Sequence, residues 1–189
     1  MTKFGQIDVL VNGAAGNFLA TAEKISTNGV KKVLEIDTIG TFNMSQSVFL
    51  GSMKQRKSGV IINISASLHW NGSWAQVHSS AAKAGVDAIT KVLATEWGPH
   101  GIRVCGIVPG AIEGTEGFER LGDINNLNNK GKTNQSFENS KSRKEEDAKA
   151  IQQLQRVIPV QRFGKVSDIS NAALFLASPA ASYMTGTDV

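Results

Sequence analysis

Three short apolar runs, each closing on or opened by a turn of small residues and separated by stretches of helical spacing, constrain this chain more than anything else in it. Ile7-Asp8-Val9-Leu10-Val11 leads into Asn12-Gly13-Ala14-Ala15-Gly16, Val60-Ile61-Ile62-Asn63-Ile64 follows Ser58-Gly59, and Ile102–Val108 stops at Pro109-Gly110. Runs of this length bounded by Gly and Pro read as buried strands. Between the first two, Val30, Val33, Leu34, Met44 and Val48 recur at helical spacing from Asn28 as the cap. Between the second and third, Ala82, Val86, Ile89, Leu93 and Trp97 do the same from Ser79 or Ser80 until Gly98-Pro99. This β-α-β-α-β alternation predicts an α/β fold with a doubly wound parallel sheet, because parallel strands need crossovers, and helical crossovers cover the sheet. Such sheets bind ligands beyond the carboxyl ends of their strands, here 12–17, 65–67 and 109–115.

Composition narrows the classes. The 189 residues suit one domain spanning 1–189, and 41% hydrophobic with 19% charged is the balance of a globular chain. No apolar run reaches the roughly 18–20 residues of a membrane span. Met1–Gln6 has no apolar core of a signal peptide, so export is not expected. The net charge of +4 sits largely in mixed-sign runs such as Lys141–Glu146, so no nucleic-acid stripe is expected. A single cysteine, Cys105, allows neither an intrachain disulfide nor a Cys-based metal site, and a reducing compartment or an organelle matrix fits. His69, His78 and His100 are not at metal spacing, and Pro99-His100-Gly101 reads as a helix stop.

Residues 122–143 are Asn-rich and poor in apolar side chains, which predicts a loop insertion, either a substrate lid or a tolerated surface segment. Helices are expected over Lys144–Val157 and Ser167–Ala177, and Thr185–Val189 looks like the start of a further strand. None of the 19 glycines forms the Gly-x-Gly-x-x-Gly turn with which dinucleotide folds hold a pyrophosphate. The chain therefore reads as lacking the amino-terminal strands and glycine-rich loop, and as cut at both ends.

Three constellations could carry chemistry. Lys83 lies one turn into the second helix with Ser79 four residues earlier on the same face. It serves either as a cationic anchor aimed at the strand ends or as a surface lysine pairing with Asp87 at i+4. Asp37 falls on the inward stripe with Val30, Val33, Leu34 and Met44, and Gly40 is expected to relieve crowding there. An inward carboxylate needs a cation or hydrogen-bond donors, or it becomes a proton shuttle; an exposed Asp37 is the alternative. Pro109-Gly110-Ala111-Ile112-Glu113-Gly114-Thr115 offers a rigid turn, an unencumbered glycine and a hydroxyl against which a flat ring could lie, or it is simply a turn. No Gly-x-Ser-x-Gly elbow is present, so a serine hydrolase is not expected.

Taken together, Asn12-Gly13-Ala14-Ala15-Gly16, Ile62-Asn63-Ile64-Ser65, Lys83 and Val108-Pro109-Gly110 resemble the short-chain dehydrogenase/reductase family. More narrowly, Ala14–Phe18, Ile36-Asp37-Thr38, Gly40–Asn43, Glu96–Pro99 and Gly114–Gly117 are similar to the peroxisomal 2,4-dienoyl-CoA reductases, over nearly the whole chain except the Asn-rich insertion. Ordinary family members place a tyrosine four residues before the lysine. Here that position is Ser79, the only tyrosine is Tyr183, and the position of the family's serine holds Ala66. The carbonyl-reducing set is thus absent.

The resemblance implies an oxidoreductase in which NADPH reduces a 2,4-dienoyl-CoA to a trans-3-enoyl-CoA during β-oxidation of unsaturated fatty acids, in the peroxisome. It implies Asp37 as the acid/base acting on a water and Lys83 as the ribose anchor and source of positive field. It also implies Pro109, Gly110, Ala111, Ile112, Glu113, Gly114 and Thr115 around the nicotinamide, and Phe18, Ser26, Thr27, Asn28 and Arg120 on the acyl-CoA substrate. A homo-oligomer is expected when the chain is full length. Two alternatives stay open: another short-chain reductase acting on enoyl or keto thioesters, and an inactive remnant.

Overall fold

A computed structural model of the chain describes residues 3–118 and 155–189. The chain forms two compact units, Met1–Gly110 with Ser167–Val189, and Ala111–Val166. The Asn-rich stretch 122–143, Arg120 and the expected helix up to residue 154 lie outside the described residues.

In the first unit, strands β1 (Val9–Asn12), β2 (Gly59–Ile64) and β3 (Ile102–Ile107) form a parallel sheet in the order β1-β2-β3. Its register pairs Leu10 with Ile61 and Ile61 with Val104. The expected start of β1 at Ile7 is two residues early. The Ile7 amide donates to the Ser52 hydroxyl at 2.9 Å, and its carbonyl accepts from Arg56 at 2.6 Å, so its backbone is spent on the helix end and not on a strand. Beyond β3, Asp188 bridges Gly106 in parallel, with the Gly106 amide on the Thr187 carbonyl at 2.9 Å, where Thr185–Val189 is expected to start a further strand.

The crossover from β1 to β2 is one helical run with two π turns. It comprises α1 (Thr27–Leu34), a π turn at Glu35–Ile39, α2 (Gly40–Val48), a second π turn at Phe49–Met53, and α3 (Lys54–Arg56). Its N-cap is Ser26, whose hydroxyl accepts from the Gly29 amide at 3.1 Å, and not Asn28, which sits inside the first turn. The first π turn also corrects the predicted stripe. Each π turn adds a residue to the helical circuit and rotates the positions beyond it. The buried positions therefore run Val33, Asp37, Thr41, Ser45 and Val48, while Met44 is turned out to 51% exposure.

After β2 comes the short α4 (Leu68–Asn71), then α5 (Val77–Trp97), which begins two residues before the expected start and ends in a 3-10 turn at Gly98–His100. Gly101 then adopts φ +73, and a Cβ there would lie 2.2 Å from the Lys57 carbonyl oxygen, so only glycine fits this entry to β3. His100 sits edge-on to Phe49 and closes the helix, in keeping with the helix-stop reading.

Alternate strand residues feed two cores, as the period of two demands. Ile61, Ile102 and Val104 pack with Val48, Phe49, Met53, Leu93 and Trp97 on one face, where the Phe49 and Trp97 rings stack at 4.1 Å. Val60, Ile62, Cys105 and Ile107 pack with Leu176 of α6 (Val166–Ala177) on the other. The sheet is thus doubly wound. β1 departs from the expectation of a buried strand: Leu10 joins the first core, but Val9 and Val11 are 38% and 52% exposed.

In the second unit, Ile112 bridges Gly164 in parallel, the Gly164 amide donates to the Ala111 carbonyl, and the Phe118 and Phe163 rings meet edge to face at 4.9 Å.

Candidate active site

The first π turn determines where Asp37 goes. Its carboxylate is 1% exposed at the carboxyl end of the sheet. Oδ1 accepts the Gly16 amide at 2.7 Å, and Oδ2 lies 3.2 Å from the Lys83 ammonium, off the axis of an aligned hydrogen bond. Glycine at position 16 leaves little slack, since a Cβ there would meet Ile36 at 3.2 Å.

Lys83 reaches this place because α5 approaches the π turn closely. The Thr38 hydroxyl donates to the Ala82 carbonyl at 2.9 Å, and a Cβ on Gly85 would lie 2.7 Å from Thr38. Gly85, and not Gly40, is thus the glycine that relieves crowding. The Lys83 ammonium also donates to the carbonyl of Ile64, the last residue of β2, at 3.0 Å. The surface-lysine reading therefore fails: Lys83 is buried and pairs with Asp37, while Asp87 accepts from the Ser65 hydroxyl and meets His69 Nε2 at 3.1 Å. Burial of a charge is tolerated where it is paired and hydrogen-bonded, as both groups here are.

A chain of amides and hydroxyls underpins these strand ends. The Asn12 amide donates to Ser45 at 2.9 Å and to Asn63 at 2.8 Å, and Asn63 donates to Thr90 at 2.9 Å. Every member is buried, so the network fixes the sheet end against the two helices.

Of the expected acyl-CoA residues, Phe18 is 42% exposed and stacks on His78, while Ser26, Thr27 and Asn28 lie exposed at the start of α1. A Cβ on Gly29 would meet the Phe18 ring at 3.2 Å, so Phe18 and the 26–28 turn are neighbours. Pro109 and Gly110 end the first unit. In the second, Glu113 donates its amide to the Gly164 carbonyl at 2.9 Å, Gly114 takes φ +71, and the Thr115 hydroxyl donates to the Ile112 carbonyl at 2.8 Å. Arg120 lies outside the described residues.

Three features escaped the sequence reading. His78 is fully buried on the first turn of α5, and burial pushes its pKa down. The Ser65–Asp87–His69 chain gathers residues whose sequence spacing carries no signal. A cleft of about 780 Å³ opens beside α5, walled by Ala22, Leu68, His69, Trp74 and Val77. It is joined to the Asn12–Asn17 turn through the Asn17 amide on Gln76 at 2.8 Å. Among the described residues no cluster of His, Cys, Asp or Glu could hold a metal ion, and no helix is long and apolar enough to cross a membrane. The only tyrosine of the chain, Tyr183, stands fully in solvent, away from any role at a buried site.

Comparison with known proteins agrees with this fold. The short chain dehydrogenase family matches residues 1–125, and the enoyl-(acyl carrier protein) reductase family matches residues 138–189. The peroxisomal 2,4-dienoyl-CoA reductase of Danio rerio is 44% identical over 99% of this chain and 54% of its own length. That of Arabidopsis thaliana is 42% identical over 97% and 56%. The chain thus spans about half the length of the curated relatives it matches. Among solved structures, a short chain dehydrogenase from Bacillus anthracis superposes with TM-score 0.76 at 36% identity, covering all of this chain and 64% of that one. NAD+-bound xylitol dehydrogenase does so with TM-score 0.84 at 24% identity, over all of this chain and 68% of that one, a likeness of fold. With the parallel doubly wound sheet and a buried lysine at its carboxyl end, the chain belongs to the short-chain dehydrogenase/reductase family.

Proposed function

We propose that this chain is the catalytic portion of an NADPH-dependent 2,4-dienoyl-CoA reductase yielding trans-3-enoyl-CoA, acting in the peroxisome in the oxidation of unsaturated fatty acids. The observation that carries the reading is the buried Asp37–Lys83 pair at the strand ends, with Ser79 where a phenol would serve carbonyl reduction. The names of the relatives, peroxisomal 2,4-dienoyl-CoA reductases, support the substrate and the compartment.

The donor set fits the nicotinamide end of the cofactor. An ammonium carries three protons; Lys83 donates one to Ile64 and faces Asp37 as an ion pair, which leaves at least one donor for a ribose hydroxyl. Pro109 and Gly110, which follow β3 in the same unit as Lys83, are proposed to hold the ring. NADPH, when bound, supplies the hydride. The chain's own residues handle charge and protons. Negative charge spreads from the reduced end of the diene to the thioester oxygen, and the Lys83 ammonium stabilises it by position and field. Asp37, with Oδ1 held by Gly16, presents Oδ2 to the water that protonates the carbon next to the carbonyl. A conjugated thioester needs no alkoxide protonated, so the missing phenol costs this reaction nothing. Phe18 and the 26–28 turn take the acyl-CoA, and the apolar walls of the neighbouring cleft suit its acyl chain.

The experiment is a substrate comparison. NADPH consumption by the purified protein is followed with 2,4-hexadienoyl-CoA, a 2-enoyl-CoA and a 3-ketoacyl-CoA. The proposal expects turnover of the dienoyl thioester, with a 3-enoyl product, in preference to the other two. Turnover of the ketone with none of the diene contradicts it.

A further inference from the structure

His78 is the one imidazole of this chain wholly removed from solvent, at 0% exposure. It occupies the second position of α5, next to Ser79. Its ring lies nearly flat on Phe18, with centroids 4.4 Å apart and planes inclined by 26°. Neither ring nitrogen makes an aligned hydrogen bond among the described residues, although the Phe18 backbone lies close enough to pull on the ring. Burial disfavours its cationic form, against a smaller opposing pull from the Phe18 backbone and the Asp37 carboxylate. A neutral imidazole still carries one N–H and one lone pair, and polar atoms left unmatched in the interior are costly. Stacking on an aromatic ring fits a histidine no better than a phenylalanine, which would bury no polar atom. The nitrogens are what distinguish it, and the described residues leave them without an aligned partner beyond the weak pull of the Phe18 backbone.

Two neighbours say what that partner is for. Phe18 is the half-exposed ring proposed to meet the acyl group, and Asp37 is the carboxylate proposed to act on a water. We propose that His78 is a positioning residue of this site, holding Phe18 flat by stacking and holding on a ring nitrogen a buried water that it shares with Asp37. The inference rests on the reductase reading for its effect on turnover but not for the water itself. A water in such a place meets the rule that buried solvent bridges otherwise unsatisfied groups. It also gives Asp37, which is closed off from bulk solvent, a second fixed point for orienting its ligand.

Two variants and one spectrum test the proposal. His78→Phe keeps the stack and removes both nitrogens; the KM for 2,4-hexadienoyl-CoA should stay within about 2-fold while kcat falls about 10- to 100-fold. His78→Gln restores a donor and an acceptor without the ring; kcat should recover by about 3-fold or more over the Phe variant while KM rises. Parental kcat in His78→Phe, or no advantage of Gln over Phe, overturns the proposal. The nitrogen-15 spectrum of the unaltered protein should show His78 as a single neutral tautomer with a cross-peak to water; a neutral ring without contact to water overturns it whatever the variants do. If the parent turns over no dienoyl-CoA, the reductase reading falls, and the spectrum still decides His78.

Discussion

The two ends of the sheet each carry an acid–base pair, and they differ in everything but charge. At the amino end, Arg56 meets Asp8 at 2.6 Å, with the carboxylate exposed and its pKa lowered chiefly by hydrogen bonds from Arg56 and Gln6. At the carboxyl end, Lys83 lies farther from Asp37, at 3.2 Å, yet both side chains are closed off from water. Distance alone would rank the first pair above the second. Solvent reverses the order, since exposed charges are screened and a buried charge without its partner has nowhere to go. The ends differ in construction as well. Both ends use a π turn and close glycine packing, Gly59 against Met53 at the amino end and Gly85 against Thr38 at the carboxyl end, but only the carboxyl end adds a buried network of side-chain amides and hydroxyls. The network holds a charged pair in place out of water.

Breaking the buried pair should therefore give the largest effect. Lys83→Met leaves Asp37 buried and alone, and urea unfolding at neutral pH should show a loss of about 3–5 kcal/mol. The double variant Asp37→Leu/Lys83→Met should recover a large part of it. A loss in the single variant no greater than that of an ordinary surface substitution would mean the pair is not buried as described. Next comes the backbone of the amino end: Gly101→Ala forces a Cβ into the Lys57 carbonyl at a left-handed φ and should cost about 1–3 kcal/mol.

Two titrations are smaller and have opposite signs. Burial lowers the His78 pKa below its ordinary 6.5. The unfolded chain therefore binds more protons below that pH, and stability is fully present above about 6.5 and lost as pH falls from there through the lowered value. His78→Phe should remove that part of the slope of melting midpoint against pH. Asp188 is raised above its ordinary 3.8, chiefly by burial and then by the charge of Asp87. Its contribution is present below 3.8 and lost as pH rises through the raised value, so Asp188→Asn should raise the melting midpoint near neutrality and make little difference in acid. At the bottom of the scale, Asp8→Ala should leave the midpoint unchanged within error at physiological salt.

Much of this was legible in the amino-acid sequence, and the reasons are local. Apolar runs stopped by Gly and Pro locate β2 and β3 to within a residue or so, because strand burial and turn chemistry are encoded side by side. Lys83 could be aimed at the strand ends from its place near the start of the helix expected from Ser79 or Ser80. Spacing alone does not name its partner, since i+4 points to Asp87; the family resemblance sets Asp37 beside it in role, and the crossing of α5 over the π turn brings the two together. That π turn explains the failure at Met44 as well, since a single extra residue in the circuit rotates every later position and no pattern of side chains announced it. The exposure of Val9 and Val11 depends on what lies beside β1, which the residues of β1 do not record. From sequence His78 is set aside with the other histidines as off metal spacing, because a histidine amid polar and small residues carries no periodic signal; its burial is a property of the packed interior.

The most direct measurement of the central claim is kcat for NADPH-dependent reduction of 2,4-hexadienoyl-CoA in Asp37→Asn beside the parent, under identical conditions. Asparagine keeps the shape and the Gly16 contact but carries no charge and accepts no proton, so kcat should fall by about 100-fold or more. A variant turning over at the parental rate would show that the carboxylate beside Lys83 takes no part in the chemistry.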